Sequence, residues 1–240
     1  MTRAETATEM AAHRVRLPVL RCSWVTQCFL HWPYPPEAVR RLLPQDVEVD
    51  EYAGSAWVGL TPFVMTDLRP HPLPALPGLP RFPETNLRTY VRRPGGRRGL
   101  WFFSLDVTNP LMLGAQAVGA PYRLARLHVT FAGDRVEYTG RRRLADASYR
   151  LVVRCGERRT RPTELDIWLT SRWRAYTRRL GTLWEVPVEH EPWPLAGATV
   201  ESLAENLRGA AGLPPCDEEP LAHYSPGVRG VRLGCARPAG

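Results

Sequence analysis

Apolar and polar residues alternate with a period of two along most of this chain, and proline or glycine interrupts the alternation at short intervals. Such a pattern predicts many short, half-buried strands. "VLRCSWVTQCFLHW" (19–32) reads as a long strand, and "PPEAVRRLLP" as a short helix bracketed by prolines. "VEVDEYAGSAWVGLTPFVMTDL" reads as a hairpin turning at Tyr-Ala-Gly-Ser. "NLRTYVRR" and "GLWFFSLDV", joined by "PGGR", form a second hairpin, and "YRLARLHVTFAGDRVEYTGRR", turning at Gly-Asp, a third. "LWEVPVEHEPWPL" and "GVRLG" add later strands. A short helix is predicted in "NPLMLGAQAV" and a late one in "ATVESLAENLRGAAG". The strongest helical signal is "TELDIWLTSRWRAYTRRL", where Leu165, Trp168, Leu169, Trp173, Tyr176 and Leu180 recur at helical spacing behind a Thr163 cap.

These elements make an α+β domain, a mainly antiparallel β-barrel or curled sheet with flanking helices. Trp57, Trp101, Phe103, Leu105, Trp168 and Trp173 are expected in its packing. Residues 1–16 read as a polar, frayed leader and 17–240 as one domain. The segment 69–83, "RPHPLPALPGLPRFP", holds six prolines and cannot supply a hydrogen-bonding ladder. It is expected to lie as a stiff lid over one mouth of the barrel, on the side of Arg88.

The stretch "ETNLRTYV" (84–91) raises the functional question. Side chains alternate across a strand, so Glu84, Asn86, Arg88 and Tyr90 share one face, and Leu87, Thr89 and Val91 the other. On the partner strand Trp101, Phe103, Leu105 and Val107 alternate with Phe102, Ser104 and Asp106. With Val91 opposite Trp101, Arg88 falls opposite Ser104 and Asn86 opposite Asp106. The polar halves then coincide. A solvent face in this chain would repeat Arg, Glu and Thr, as the hairpin tip does. The mixed set here reads better as a cavity wall. Glu84 with Asp106 is a candidate acid/base pair, and a buried Arg88 would need Glu84 or Asp106 as its ion-pair partner.

Composition narrows the function classes. The formal charge of +8 comes from 32 basic residues, all arginine, scattered over separate segments with few aromatics between them. That reads as a solvated surface in preference to a nucleic-acid footprint. No apolar run is long enough to span a membrane, and the N-terminus lacks a secretory core. The five cysteines (Cys22, Cys28, Cys155, Cys216, Cys235) show no zinc-finger spacing, and the six histidines stand apart. They read as reduced cytosolic thiols, mostly buried, and no metal or cofactor is expected. Phosphate-cradling loops and the Gly-x-Ser-x-Gly elbow are absent. His190, between two glutamates, reads as a structural hydrogen-bonder.

The segments "FLHWPYPPEAVRRLLPQDVEVDEYAGSAWVGLTPFVM", "FPETNLRTYV", "GLWFFSLDV", "APYRLARL", "LTSRWRAY", "VEHEPWPL" and "HYSPGV", in this order, resemble the bacterial YqjF-like family from about residue 20 to 233. That family is similar in fold to the acetoacetate-decarboxylase superfamily, a closed or nearly closed barrel with a ligand cavity. The resemblance implies that the polar hairpin face looks into that cavity. Decarboxylases carry a lysine pair in the segment that resembles "GAQAVGAPYRLA". Here Tyr122 and Arg123 stand at those positions, and the chain has no lysine at all. Their preceding Gly-Arg-Glu appears as Gly114, Ala115 and Gln116. A Schiff-base mechanism is therefore excluded, because arginine stays protonated and is a poor nucleophile.

Two readings follow. In the first, a lysine-independent enzyme isomerises, dehydrates or hydrates a carbonyl- or carboxylate-bearing metabolite. Glu84, Tyr122 and Asp106 act as acid/base groups. Arg88 or Arg123 clamps the anion, and Asn86, Tyr90, Ser104 and Phe102 complete the pocket. The second reading is a non-catalytic sensor, carrier or scavenger on the same barrel. Either way the expected partner is a small molecule, with neither nucleic acid nor membrane, in a cytoplasmic homodimer.

Overall fold

The computed structural model of the protein describes residues 7–70, 81–94 and 97–239. The first half supplies β1 (Pro18–Tyr34), α1 (Pro36–Arg40), β2 (Glu48–Val49), β3 (Ala56–Pro70), β4 (Phe82–Arg92) and β5 (Arg98–Val107). A 3-10 helix (Pro110–Val118), capped by the Asn109 side chain, leads into β6 (Tyr122–Ala132), β7 (Arg135–Arg142) and β8 (Ser148–Arg158). The remainder is α2 (Glu164–Thr170), β9 (Arg174–Arg179), β10 (Thr182–Glu189), β11 (Ala196–Glu205), α3 (Leu207–Ala210), β12 (Leu221–Gly234) and β13 (Arg237–Pro238).

One sheet contains all these strands, and it closes twice. The first ring runs β5, β6, β7, β8, β11, β12, β1, β3, β4 and back to β5, a nine-stranded barrel. The second leaves β5 through β9 and β10 and rejoins the sheet at β12, sharing β12, β1, β3, β4 and β5 with the first. Pairing is antiparallel except where β5 meets β6 and β9. Closure leaves few bare edges.

The shared wall has one face in each lumen. Leu87 and Val91 point into the first, where Leu30, Leu60, Leu127, Tyr138 and Leu151 pack as a filled core. Fully burying such a side chain contributes about 1.5–3 kcal/mol. The second lumen is only partly filled, by Phe29, Phe63, Met65, Leu105 and Trp193. Of the aromatics expected in the packing, Trp168 and Trp173 are buried with Leu105, while Trp57, Trp101 and Phe103 are half-buried against the cores.

Several local expectations are corrected. The helical pattern of 163–180 stops at Thr170, although Thr163 does cap α2, in a capping box with Asp166. Beyond it, Arg174–Arg179 is a strand because Leu180 and Gly181, at φ 49° and 80°, turn it back onto β10. Two consecutive positive φ angles make the tight hairpin turn. Residues 196–205 form β11 along β8, leaving only α3 of the expected late helix. The short arm β2 pairs with β4 and not with β3. The strand β8 went unanticipated. Within the supposed leader, the Thr8 carbonyl accepts from the Trp173 indole at 3.1 Å, and buried Val15 donates its N–H to Glu189 at 2.6 Å. Only Cys22 and Cys28 of the thiols are buried; Cys235 is exposed. Among the described residues no helix is long and apolar enough to cross a membrane. The lid expected at 69–83 falls largely on residues 71–80, outside the described residues.

Gly227 joins β12 to β1 at a point that admits no side chain. Its φ is +125°, and a Cβ there would lie 2.2 Å from the Trp24 carbonyl oxygen and 2.5 Å from Val25 Cα. Both obstacles are backbone, so they cannot rotate away. Gly227→Ala is expected to cost roughly 3 kcal/mol or more, from overpacking plus backbone strain. A urea melt superimposable on wild type would refute the close approach.

Candidate functional site

The second lumen holds a cavity of about 420 Å³, within the ~300–1,000 Å³ common for small-molecule sites. The hairpin face singled out in the sequence is part of its wall: Glu84, Asn86, Arg88 and Phe102 line it, joined by Tyr122 from the start of β6. Thr26, at φ 53°, breaks the regular pairing of β1 with β3. The break explains how Trp24 and Gln27, three residues apart, reach the same cavity.

Glu84 is almost fully buried, and the Tyr122 hydroxyl donates to both of its oxygens over long contacts of 3.5 and 3.4 Å. Burial pushes the Glu84 carboxyl up to about 8; the Tyr122 bond opposes the rise and the nearby Asp106 charge adds to it. Glu84 therefore carries its proton at neutral pH. Burial and the same carboxylate raise the Tyr122 phenol well above its ordinary value.

Arg88 is also buried, yet among the described residues no carboxylate lies within ion-pair reach of it. Its guanidinium donates to the Leu169 carbonyl at 3.5 Å and sits 5.6 Å from the Phe29 ring centre, and its Nε has no partner. Leu169 belongs to the last turn of α2, whose carbonyls have no intrahelical donors. The cavity wall and the Tyr90 hydroxyl behind it supply those donors. Arg172 donates to Trp168, Arg88 and Tyr90 to Leu169, and the Trp193 indole to Thr170 at 3.0 Å. A seven-residue helix thereby ties together three sides of the site.

Tyr90 stands behind this wall instead of lining it. It is fully buried, and its hydroxyl donates to Leu169 and accepts from His31 Nε2 at 2.8 Å. Ser104 and Asp106 are corrected more sharply. The pairing is Val91 with Gly99, Arg88 with Phe102, Asn86 with Leu105 and Thr85 with Asp106, broken between Leu87 and Arg88. Phe103 is the extra residue of a bulge. One inserted residue reverses the facing of everything beyond it. Leu105 thus enters the cavity while Ser104 and Asp106 turn into the first lumen. There Arg142 Nε donates to Asp106 at 2.8 and 3.0 Å, and its terminal nitrogen to Ser104 Oγ at 2.5 Å. Arg123, beside Tyr122, is exposed. The expected convergence thus holds for Glu84, Asn86, Arg88, Phe102 and Tyr122, and fails for Tyr90, Ser104, Asp106 and Arg123.

The structure adds Arg172, which the sequence reading passed over, and His190, which it read as structural only. Arg172 lines the cavity, bonds Asp50 at 3.1 Å and lies over the Tyr90 and Trp168 rings; burial lowers it to about 10. His190 also lines the cavity, packed by the rings of Trp24, Trp173 and Trp193. Its Nδ1 lies 2.5 Å from the Glu191 carbonyl, which fixes that nitrogen as the donor. Burial lowers this imidazole to about 4, so it is neutral at pH 7. The segments "LTSRWRAY" and "VEHEPWPL" carried these residues.

Arg88 without a carboxylate reverses one expectation. Truncation of a buried ion pair costs about 3–5 kcal/mol, but Arg88 is in no such pair. Arg88→Met, which keeps the stem and removes the cation, is expected to change stability by less than about 1.5 kcal/mol, the cost of a volume-conserving swap. A loss of 3 kcal/mol or more in a thermal or urea melt would reveal a partner for the guanidinium.

Comparison with known proteins agrees with this architecture. The model of the DUF2071 family, an uncharacterized conserved protein, matches residues 21–229. The chain is 36% identical over 214 residues to the uncharacterized protein YqjF of Bacillus subtilis (strain 168), spanning 86% of this chain and 87% of that one. Among solved structures, the enduracididine biosynthesis enzyme MppR, complexed with the condensation product of pyruvate and imidazole 4-carboxaldehyde, superposes with a TM-score of 0.65 at 14% identity, over 95% of this chain and 92% of that one. An acetoacetate decarboxylase-like enzyme from Sphingomonas wittichii RW1 gives 0.65 at 15% identity, over 98% of both chains. The acetoacetate decarboxylase of Legionella pneumophila gives 0.58 at 16%, over 98% and 94%. The chain belongs to the DUF2071 family, is similar to YqjF, and folds as an acetoacetate-decarboxylase-like barrel.

Proposed function

We propose that the protein binds a carbonyl- or carboxylate-bearing metabolite in the second lumen and moves a proton on it, in an isomerisation, dehydration or hydration without a covalent intermediate. The observation that carries this reading is Glu84: a buried carboxyl raised to about 8, on the cavity wall, four residues along the same strand face from an unpaired Arg88. Arg88 holds the anionic end of the substrate. The ionised fraction of Glu84 takes the proton beside the carbonyl and its protonated form returns one to carbon, while the Tyr122 hydroxyl beside it polarises the carbonyl oxygen. The chain has no lysine, and Tyr122 stands where the resemblance would put one, so a Schiff base has no place in the cycle. The MppR complexes, which hold pyruvate or its condensation product, support a small-molecule site in this fold. On this reading the protein is a cytoplasmic homodimer.

Two measurements test the proposal. Native mass spectrometry of the purified protein is expected to release a carboxylate-bearing small molecule. Proton NMR of a panel of 2-oxo and 3-oxo acids in heavy water is expected to show enzyme-dependent deuterium uptake beside the carbonyl. Glu84→Gln should slow that uptake by about 10²-fold or more, the usual weight of a general acid or base. Uptake by Glu84→Gln at the wild-type rate would remove Glu84 from the chemistry. Ligand release with no uptake by any member of the panel would favour a carrier or sensor.

A further inference from the structure

We propose that the second lumen selects a monocarboxylate with a large apolar body, against both dianions and short polar oxo acids. This rests on the ligand-binding half of the reading above and is independent of its catalytic half.

The charge on the wall sets the number of carboxylates. Among the described residues that line the cavity, Arg172 pairs with Asp50 at 3.1 Å, and Arg174 lies 3.7 Å from Glu185, a carboxylate that Arg97 and Arg237 also reach from outside the cavity. Glu84 and His190 are neutral at pH 7. Arg88 remains as a buried cation that meets a helix carbonyl at 3.5 Å, the Tyr90 hydroxyl and the Phe29 ring, none of them an anion. One unmatched guanidinium suits one carboxylate. A second carboxylate would be desolvated with no cation to receive it.

The rest of the wall sets the body. Phe63, Met65, Leu105 and Met112 line it together with Trp24 and Trp193. The rings of Trp24 and Trp193 are nearly parallel, at 12°, with centroids 6.2 Å apart. These surfaces offer area for burial and almost no hydrogen bonding. The volume of about 420 Å³ far exceeds the needs of a three-carbon oxo acid. Each methylene buried there adds about fourfold in affinity, so an anion with no body forfeits most of what the cavity offers.

Isothermal titration calorimetry at pH 6.5 tests this with 4-phenylbutyrate, its alcohol 4-phenylbutan-1-ol, phenylsuccinate and pyruvate. Wild type is expected to bind 4-phenylbutyrate at least tenfold more tightly than the alcohol, and about 100-fold more tightly than phenylsuccinate or pyruvate. Arg88→Met, checked for folding by a melt, should bind acid and alcohol equally. Wild type that binds phenylsuccinate or pyruvate as tightly as 4-phenylbutyrate, that does not distinguish acid from alcohol, or that binds none of the four, overturns the proposal. The readout needs no turnover. A protein that binds in the expected order but catalyses no proton exchange defeats only the catalytic reading, whereas exchange confined to pyruvate-sized acids defeats only this one.

Discussion

Arg142→Ala is expected to cost the fold about 3–5 kcal/mol while leaving the ligand cavity intact in whatever fraction stays folded. Arg142 and Asp106 are both almost fully buried in the first lumen, and the guanidinium satisfies the carboxylate twice and Ser104 once. Burial alone raises the Asp106 carboxyl, and Arg142 is the main influence holding it down. Removing the arginine strands a buried carboxylate near the Tyr149 phenol. The pair itself is not a source of net stability, because removing two charges from water costs as much as their attraction returns. The double variant Asp106→Leu with Arg142→Met should therefore melt within about 1–2 kcal/mol of wild type, far from the sum of the single losses. A single Arg142→Ala within 1 kcal/mol of wild type would mean that water reaches the pair. Asp106→Asn that abolishes ligand binding without unfolding would return Asp106 to the site.

That pair also marks where sequence reasoning stops. The facing of Glu84, Asn86 and Arg88 was legible because alternation within one strand needs only the period of two. The facing of Ser104 and Asp106 depended on the partner strand, and the bulge at Phe103 has no local signature in "GLWFFSLDV". One residue of slip moved a candidate acid/base pair to opposite sides of the sheet. The barrel itself was legible through the ordered family segments, but its second closure was not. Closure depends on β9, whose Tyr176 pairs with Trp101 some 75 positions away in sequence. The apolar spacing of "WLTSRWRAYTRRL" fits a helix as well as it fits a helix followed by a strand, and long-range pairing decided between them. Arg172 and His190 stayed hidden for the same reason. Their place at the site comes from that closure, and in the sequence they read as part of a helix and as a structural hydrogen-bonder on a strand.

Glu84→Gln is expected to make the protein more stable at neutral and alkaline pH while removing the proposed chemistry. The folded-state value of this carboxyl is raised from 4.5 to about 8. A group raised in this way binds its proton more tightly when folded, so its contribution is fully present below about pH 4.5 and is lost as pH climbs through 8. At about 1.4 kcal/mol per unit, wild type has lost roughly 3 kcal/mol by pH 7. Glutamine has no proton to lose, and its amide oxygen still accepts from Tyr122. For a chain of this size that corresponds to a rise in Tm of about 6–10 °C at pH 7, larger at pH 8 and vanishing towards pH 4.5. The groups facing Glu84 sharpen the assignment. Tyr122 and Cys22 are both raised by burial and stay neutral through this window, and Asp106, across the sheet, is held by Arg142. A variant that melts below wild type at pH 8, or with the same offset at pH 5 and pH 8, would show that Glu84 is not the buried acid described. A more stable variant that no longer exchanges protons is the signature of a residue kept in an unfavourable place for its chemistry.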